Sequence, residues 1–250
     1  MTRRRWIADE VTGNTAALIG DHAVHLARVL RAEIGQEFDI ATGAGVRCGT
    51  ITSISDARVE FALGLAHEVK PASFKSIPKI TVVLAIFKFD RMEWAIEKCT
   101  EIGVARIIPV STRRSDAHLA TAAVKRHERW QRIARQAAEQ SRRSAPPEIA
   151  APIKLKQLAD DRVLPVGAPR VVLAEPLAES EESSRLGDIL RSSSSAGGVV
   201  LAVGPEGGWA DEELAWFQET GWAAASLGSM ILRAETAAIV ATALALDALR

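Results

Sequence analysis

Two stretches near the C-terminus combine glycine turns with charged side chains that could do chemistry: Gly204-Pro205-Glu206-Gly207-Gly208 and Leu227-Gly228-Ser229-Met230-Ile231-Leu232-Arg233-Ala234-Glu235-Thr236-Ala237. Glycines let a backbone take positive φ and approach a ligand with no Cβ in the way. In the second stretch Arg233 stands two residues before Glu235, ahead of an alanine-rich helix. A guanidinium there can stabilise negative charge developing on a carbonyl, and a carboxylate can take a proton or orient the guanidinium. A first-turn carboxylate also simply complements a helix dipole, so Glu235 has a purely structural use as well.

The chemistry these turns exclude is as informative. Gly204–Gly208 lacks the Lys-Ser/Thr of a Walker A loop and the G-x-G-x-x-G spacing of a dinucleotide site. Glu206 would repel a pyrophosphate and tolerate a cationic or zwitterionic ligand, a sign that a sulfonium cofactor fits. There is no G-x-S-x-G elbow and no tyrosine, which speaks against covalent catalysis and excludes phenol chemistry. His22 and His25 form an H-x-x-H, but two neutral ligands with no cysteine or carboxylate at zinc spacing do not make a metal site.

The elements that must position these turns follow from hydrophobic periodicity. Val199–Val203 is a buried-strand signal closed by the first turn, and Asp211-Glu212-Glu213 opens a helix capped by acidic residues. Ile80–Phe87, Ile107–Val110 and Val171–Ala174 read as further strands. Arg91–Ile102, a long basic helix from about Ala120 to Ser141, a short helix near Leu186–Leu190 and Glu235–Leu249 read as helices. The last should pack through Ile239, Leu246 and Leu249. Strands alternating with helices imply a mainly parallel sheet, whose carboxyl edge binds ligands. On that edge Ala174-Glu175, Gly204–Gly208 and Leu227-Gly228 should converge on one backbone-lined pocket.

Residues 1–70 read differently. Short strands at Thr15–Ile19, Phe38–Ile40, Cys48–Ile54 and Arg58–Leu65 surround a helix carrying Val24, Leu26, Val29 and Leu30, the pattern of a small β-barrel. Residues 71–78, with two prolines, read as a linker to a domain over 79–250. Across the 250 residues, 31 Lys+Arg balance 31 Asp+Glu. Residues 1–150 hold 23 basic and 17 acidic side chains (+6), and residues 151–250 hold 8 and 14 (−6). The basic front half suits a polyanion, and Arg3, Arg4, Arg5, Arg28, Arg31, Arg113, Arg114, Arg142 and Arg143 are the candidate phosphate contacts. Two cysteines, no signal-peptide pattern and no apolar run of membrane-spanning length predict a reduced, cytoplasmic setting.

Five motifs in order resemble the RsmE family, the 16S ribosomal RNA uridine-N3 methyltransferases of the knotted SPOUT superfamily. They are His25–Arg31; Asp90-Arg91-Met92-Glu93 with Glu97–Gly103; Glu139–Arg143; Gly204–Gly208; and Leu227–Ala237. The resemblance implies an α/β protein: a PUA-like N-terminal β-barrel and a parallel-sheet C-terminal domain tied in a trefoil knot. It also implies a homodimer, S-adenosylmethionine as cofactor, and 16S ribosomal RNA or the small subunit as substrate, while the histidine and cysteine spacing predicts no metal. Ala174, Glu175, Gly204, Pro205, Glu206, Gly207, Gly208, Leu227, Gly228, Ile231, Leu232 and Ala237 would hold the cofactor, and Arg233 and Glu235 would face the uracil. The chain departs from the family at Met230, where an arginine is usual, and at Ala210, where a hydroxyl residue is usual; the latter should move the helix cap to Asp211. Methylation of transfer RNA, or a non-catalytic assembly role, are the other functions such a fold admits.

Overall fold

The computed structural model describes residues 5–66, 78–160, 162–174, 184–192 and 198–249. The expected linker, through residue 77, lies outside them, as do Arg3, Arg4 and Glu175. The chain divides into two compact units: Met1–Phe74 with Ala138–Pro146, and Lys75–Ala137 with Pro147–Arg250. The first unit thus includes residues 138–146, which the sequence places in the C-terminal domain.

In the first unit, β1 (Arg5–Ile7), β2 (Glu10–Thr12), β3 (Thr15–Ile19), β4 (Glu37–Ala41), β5 (Val46–Ile54) and β6 (Arg58–Ala66) form one mixed sheet in the order β1-β4-β5-β6-β3-β2. Only β1 and β4 run parallel. Register shifts between β5 and β6 mark bulges, which bend and twist a sheet. Trp6, Leu18, Leu26, Ile40, Ile51 and Phe61 fill its core. The expected helix is one α turn, α1 (Asp21–Val24), continued by a π-helical turn over His25–Val29. The wider turn, closed by Leu30 N–H to the His25 carbonyl, puts Leu26 in the core. Val29 and Leu30 are left 63% and 41% exposed, so the regular helical stripe expected there is corrected.

The second unit is built on a parallel sheet. Its strands are β7 (Lys79–Ala85), β8 (Arg106–Ser111), β9 (Glu148–Ile149), β10 (Ile153–Lys154), β11 (Arg170–Leu173), β12 (Gly198–Val203) and β13 (Ala223–Ala225). The order is β10-β8-β7-β12-β11-β13, with β9 also on β8, and every pair is parallel. Successive side chains alternate between two buried faces, which is why β7 and β12 read as continuous apolar runs. One face carries α2 (Phe89–Ile102), α4 (Leu186–Ser192), α6 (Ala234–Ala248) and Trp130 of α3 (Ala117–Gln140). The other carries α5 (Asp211–Glu219) and a 3-10 segment over Leu155–Ala159, around Trp209, Phe217 and Trp222.

Helix α2 buries Met92, Ala95, Ile96 and Cys99, the one-sided spacing its sequence predicts, and stops at Gly103, whose φ is 123°. Helix α6 differs from expectation. Its buried residues are Ala234, Glu235, Ala238, Ala241, Thr242 and Ala245, while Ile239, Leu246 and Leu249 are only partly buried around them. Alanines let this helix lie close to α2 and the strands beneath. Among the described residues no helix is long and apolar enough to cross a membrane.

Candidate cofactor and methyl-transfer site

The site starts from three neighbouring strands. β12, β11 and β13 are hydrogen-bonded in parallel, so Val203, Leu173 and Ala225 end side by side. The chain leaving these ends lines a cavity of about 840 Å³, a size suited to a small-molecule ligand. The convergence predicted from sequence is therefore present. Ala174, Gly204, Pro205, Glu206, Gly207, Gly208, Leu227, Gly228, Ile231, Leu232 and Ala237 all line it.

The first turn is held on three sides. Gly208 N–H closes it on the Pro205 carbonyl at 2.8 Å, with Gly208 at φ 69°. The Trp209 indole donates Nε1–H to the Leu173 carbonyl at 2.9 Å, joining the turn to the end of β11. A Cβ on Gly204 would stand 3.1 Å from that indole nitrogen, so any larger residue there must push the indole aside. Arg114, in the loop after β8, donates Nη1–H to the Gly207 carbonyl at 2.9 Å and lines the cavity. This candidate phosphate contact thus also stands against the glycine turn.

Glu213 anchors the next segment. Its 7%-exposed carboxylate accepts the Arg113 N–H at 2.8 Å and the Ala210 N–H at 3.0 Å. Helix α5 therefore begins at Asp211 with Ala210 as its cap residue, and the expected shift of the cap to Asp211 is corrected. With no hydroxyl at position 210, the N3 carboxylate reaching back supplies half of a capping box.

Glu206 does not offer its charge freely to a cationic ligand as the sequence suggested, because it is paired with Arg91 from the first turn of α2. Arg91 Nε also stands 4.0 Å from Glu235 Oε1. Glu235 is 5% exposed, and its Oε2 has no hydrogen-bond partner among the described residues. Its neighbouring cation is thus Arg91; among the described residues no contact joins it to Arg233. Arg233 is exposed at the N-cap of α6 and lines the large cavity. With Trp94, Leu232, Glu235, Thr236 and Ile239 it also lines a second cavity of about 330 Å³, whereas Glu235 lines only this one. Met230 and Ile231 on the same loop are 78% and 80% exposed.

The fit to a family is clear once these parts are in place. A family model described as an RNA methyltransferase domain matches residues 75–246. The ribosomal RNA small subunit methyltransferase E of Synechocystis sp. is 33% identical over 94% of this chain and 74% of its own length. The protein of that name in Mycobacterium bovis is 33% identical over 92% and 85%. This chain belongs to the ribosomal RNA small subunit methyltransferase E family. The structure of the family member from Neisseria gonorrhoeae, bound to S-adenosyl methionine, superposes with a TM-score of 0.80 at 30% identity, over 97% of this chain and 96% of that one. A putative methyltransferase of Legionella pneumophila, in complex with SAM, gives 0.83 at 28% identity over 99% and 98%.

Family members are also expected to hold RNA, and the remaining basic candidates fall as follows. In the first unit Arg5 donates to the Arg142 carbonyl, bringing it to the 142–143 segment. Arg142 has φ 60°, and burial lowers the pKa of Arg143. Arg28 forms an exposed ion pair with Asp56 at 3.1 Å, and Arg31 is exposed with φ 50°. In the second unit Arg113 is exposed, with a 3.5 Å contact to Glu212. Sequence reasoning missed Arg91, Trp209 and Glu213 as site residues. Arg91 falls within a quoted motif, but helical periodicity gives it no distinguishing mark.

Proposed function

We infer that this chain transfers a methyl group from S-adenosylmethionine to small-subunit ribosomal RNA, and that the acceptor is N3 of a uridine. The observation that carries the reading is the backbone-lined cavity where β11, β12 and β13 end, in a member of this family. The residues present suit the cofactor, with glycine turns for close approach and main-chain groups for its polar edges, while the buried carboxylate of Glu235 lines a smaller cavity that shares Ile231, Leu232 and Arg233 with it.

When bound, the cofactor supplies an electrophilic methyl group on sulfonium. Gly204–Gly208 and Leu227-Gly228 would hold it, with Arg114 and Trp209 keeping the first turn in place. Uracil N3 carries a proton near neutral pH, which would have to leave as the new N–CH₃ bond forms and the S–CH₃ bond breaks, its electron pair staying on the sulfur of S-adenosylhomocysteine. Glu235 would accept that proton or its hydrogen bond, a reading supported by its buried Oε2, which has no partner among the described residues. Arg233 would stabilise the charge that then gathers on a uracil carbonyl. Much of the acceleration comes from holding the base in line with the methyl group.

The same reading takes the first unit as a PUA-like barrel that holds RNA through Arg5, Arg28, Arg31, Arg142 and Arg143, with Arg113 contributing from the second. It takes the second unit as a trefoil knot and the active species as a homodimer in the cytoplasm. The test is methyl transfer to small ribosomal subunits, and to transfer RNA as a control, by Glu235→Ala and Arg233→Ala proteins, with S-adenosylmethionine affinity measured by calorimetry. Turnover should fall at least tenfold in each while cofactor affinity changes little. Near-normal turnover in both removes them from the chemistry, and modification of transfer RNA alone moves the substrate.

A further inference from the structure

We propose that Arg91 is a positioning residue that ties the cofactor-holding turn to the carboxylate of Glu235. This rests on the reading of Glu235 as the group facing the acceptor base. Arg91 is half-buried and comes from the first turn of α2, a helix whose Met92, Ala95, Ile96 and Cys99 are buried in the core. Its guanidinium uses two different nitrogens on two carboxylates: Nη1 on Glu206, inside the turn, and Nε 4.0 Å from Glu235 Oε1. A planar fork with several fixed donors can serve two acceptors at once, which a lysine ammonium on a flexible stem does less well.

The second observation is at Glu235 itself. With the side chain only 7% exposed and Oε2 unpartnered, one oxygen of a buried carboxylate is left unsatisfied. Leaving such a group open costs free energy unless a ligand donor fills it. Arg91 stands 4.0 Å away on the Oε1 side, and in this proposal its charge orients the carboxylate so that Oε2 faces the acceptor. Glu206, held by the same guanidinium, lines the larger cavity, while Glu235 lines the smaller one. Arg91 is the side chain that touches both carboxylates, and thus links the cofactor turn to the place where the proton must go.

The experiment measures turnover on small ribosomal subunits at saturating S-adenosylmethionine, cofactor Kd by calorimetry, and thermal melting. The proteins are Arg91→Ala, Arg91→Lys, Glu206→Gln and Glu235→Gln, with the doubles Arg91→Ala/Glu235→Gln and Arg91→Ala/Glu206→Gln. A misplacement on the order of 1 Å can cost about 10²-fold in rate, so kcat of Arg91→Ala should fall 10- to 100-fold. Adding Glu235→Gln should then slow it little further. In the other pair, Glu206→Gln should raise the Kd no further once Arg91 is gone. Arg91→Lys keeps the helix and the charge, so it should melt like the parent yet lose kcat at least fivefold, which a merely structural role would not produce. Unchanged kcat in Arg91→Lys, or multiplicative losses in the Glu235 double, overturns the proposal. A fully active Glu235→Gln protein removes Glu235 from the chemistry and the proposal with it. An impaired Glu235→Gln with multiplicative losses removes the proposal alone.

Discussion

The Trp209 indole donates to the carbonyl of Leu173 at 2.9 Å, with both residues buried. Trp209 follows the glycine turn and Leu173 ends β11, so the position of the turn is set by a neighbouring strand as well as by its own backbone. Trp209→Phe keeps an aromatic ring against Phe217, whose centroid is 4.8 Å away, and leaves the Leu173 carbonyl without this donor. The expected loss is about 1–3 kcal/mol in urea unfolding, with weaker S-adenosylmethionine binding. Unchanged cofactor affinity would show that the turn is positioned without this bond.

Two glycines should respond differently to alanine. At Gly198, φ is 145° and a Cβ would lie 2.1 Å from the Lys79 carbonyl oxygen, in the backbone of the paired strand. Neither strand can move without disturbing the central sheet, so Gly198→Ala should lose more than about 3 kcal/mol or fail to accumulate in soluble form. At Gly204 the obstacle is the Trp209 side chain at 3.1 Å, which can shift. Gly204→Ala should therefore fold and lose cofactor affinity. Chemical denaturation with calorimetry on both proteins separates the two effects.

Glu213 ties the Arg113 N–H to the start of α5 through its two carboxylate oxygens. Glu213→Ala removes the acceptors of a buried donor, the Ala210 N–H, and a half-buried one, the Arg113 N–H, near a helix N-terminus, and should cost about 2–4 kcal/mol. Arg114 is the next residue along that loop, so its contact with Gly207 should loosen too. Thermal melting reads the first effect, and protection of the residue 112–116 amides in hydrogen exchange reads the second.

The two cysteines should differ in reactivity. Burial pushes the Cys99 thiol up to about 11 from 9.0, against a smaller opposing effect of the hydrogen bond from Thr242, whereas Cys48 is half-buried. A thiol reagent at pH 8 should modify Cys48 in the native protein and Cys99 only on unfolding. Because the folded pKa lies above the unfolded one, the contribution of Cys99 to stability is complete below about pH 9 and is lost between about 9 and 11. Cys99→Ala should flatten the alkaline limb of the stability profile in that window. Rapid native labelling of both thiols would contradict the burial.

The sequence by itself determined a good deal. Continuous apolar runs at 80–85 and 199–203, between helices of 3.6-residue period, specify a parallel sheet covered on both faces, because only strands buried on two sides dispense with polar alternation. The glycine turns at 204–208 and 227–228 mark where the backbone turns at the strand ends to line a cavity, because that property is local to the residues.

Tertiary structure decided the rest. Ala223–Ala225 has no strand propensity, and it becomes β13 because β11 offers it an edge. The stripe of α6 passed from its large residues to its alanines because α2 and the strands approach closely there. The charge of Glu206, free in the sequence, is taken by Arg91, which lies 115 residues earlier in the chain. Periodicity records which face of a helix is apolar; it carries no record of which distant cation will stand beside a given carboxylate, and at this site that pairing leaves one oxygen of Glu235 open.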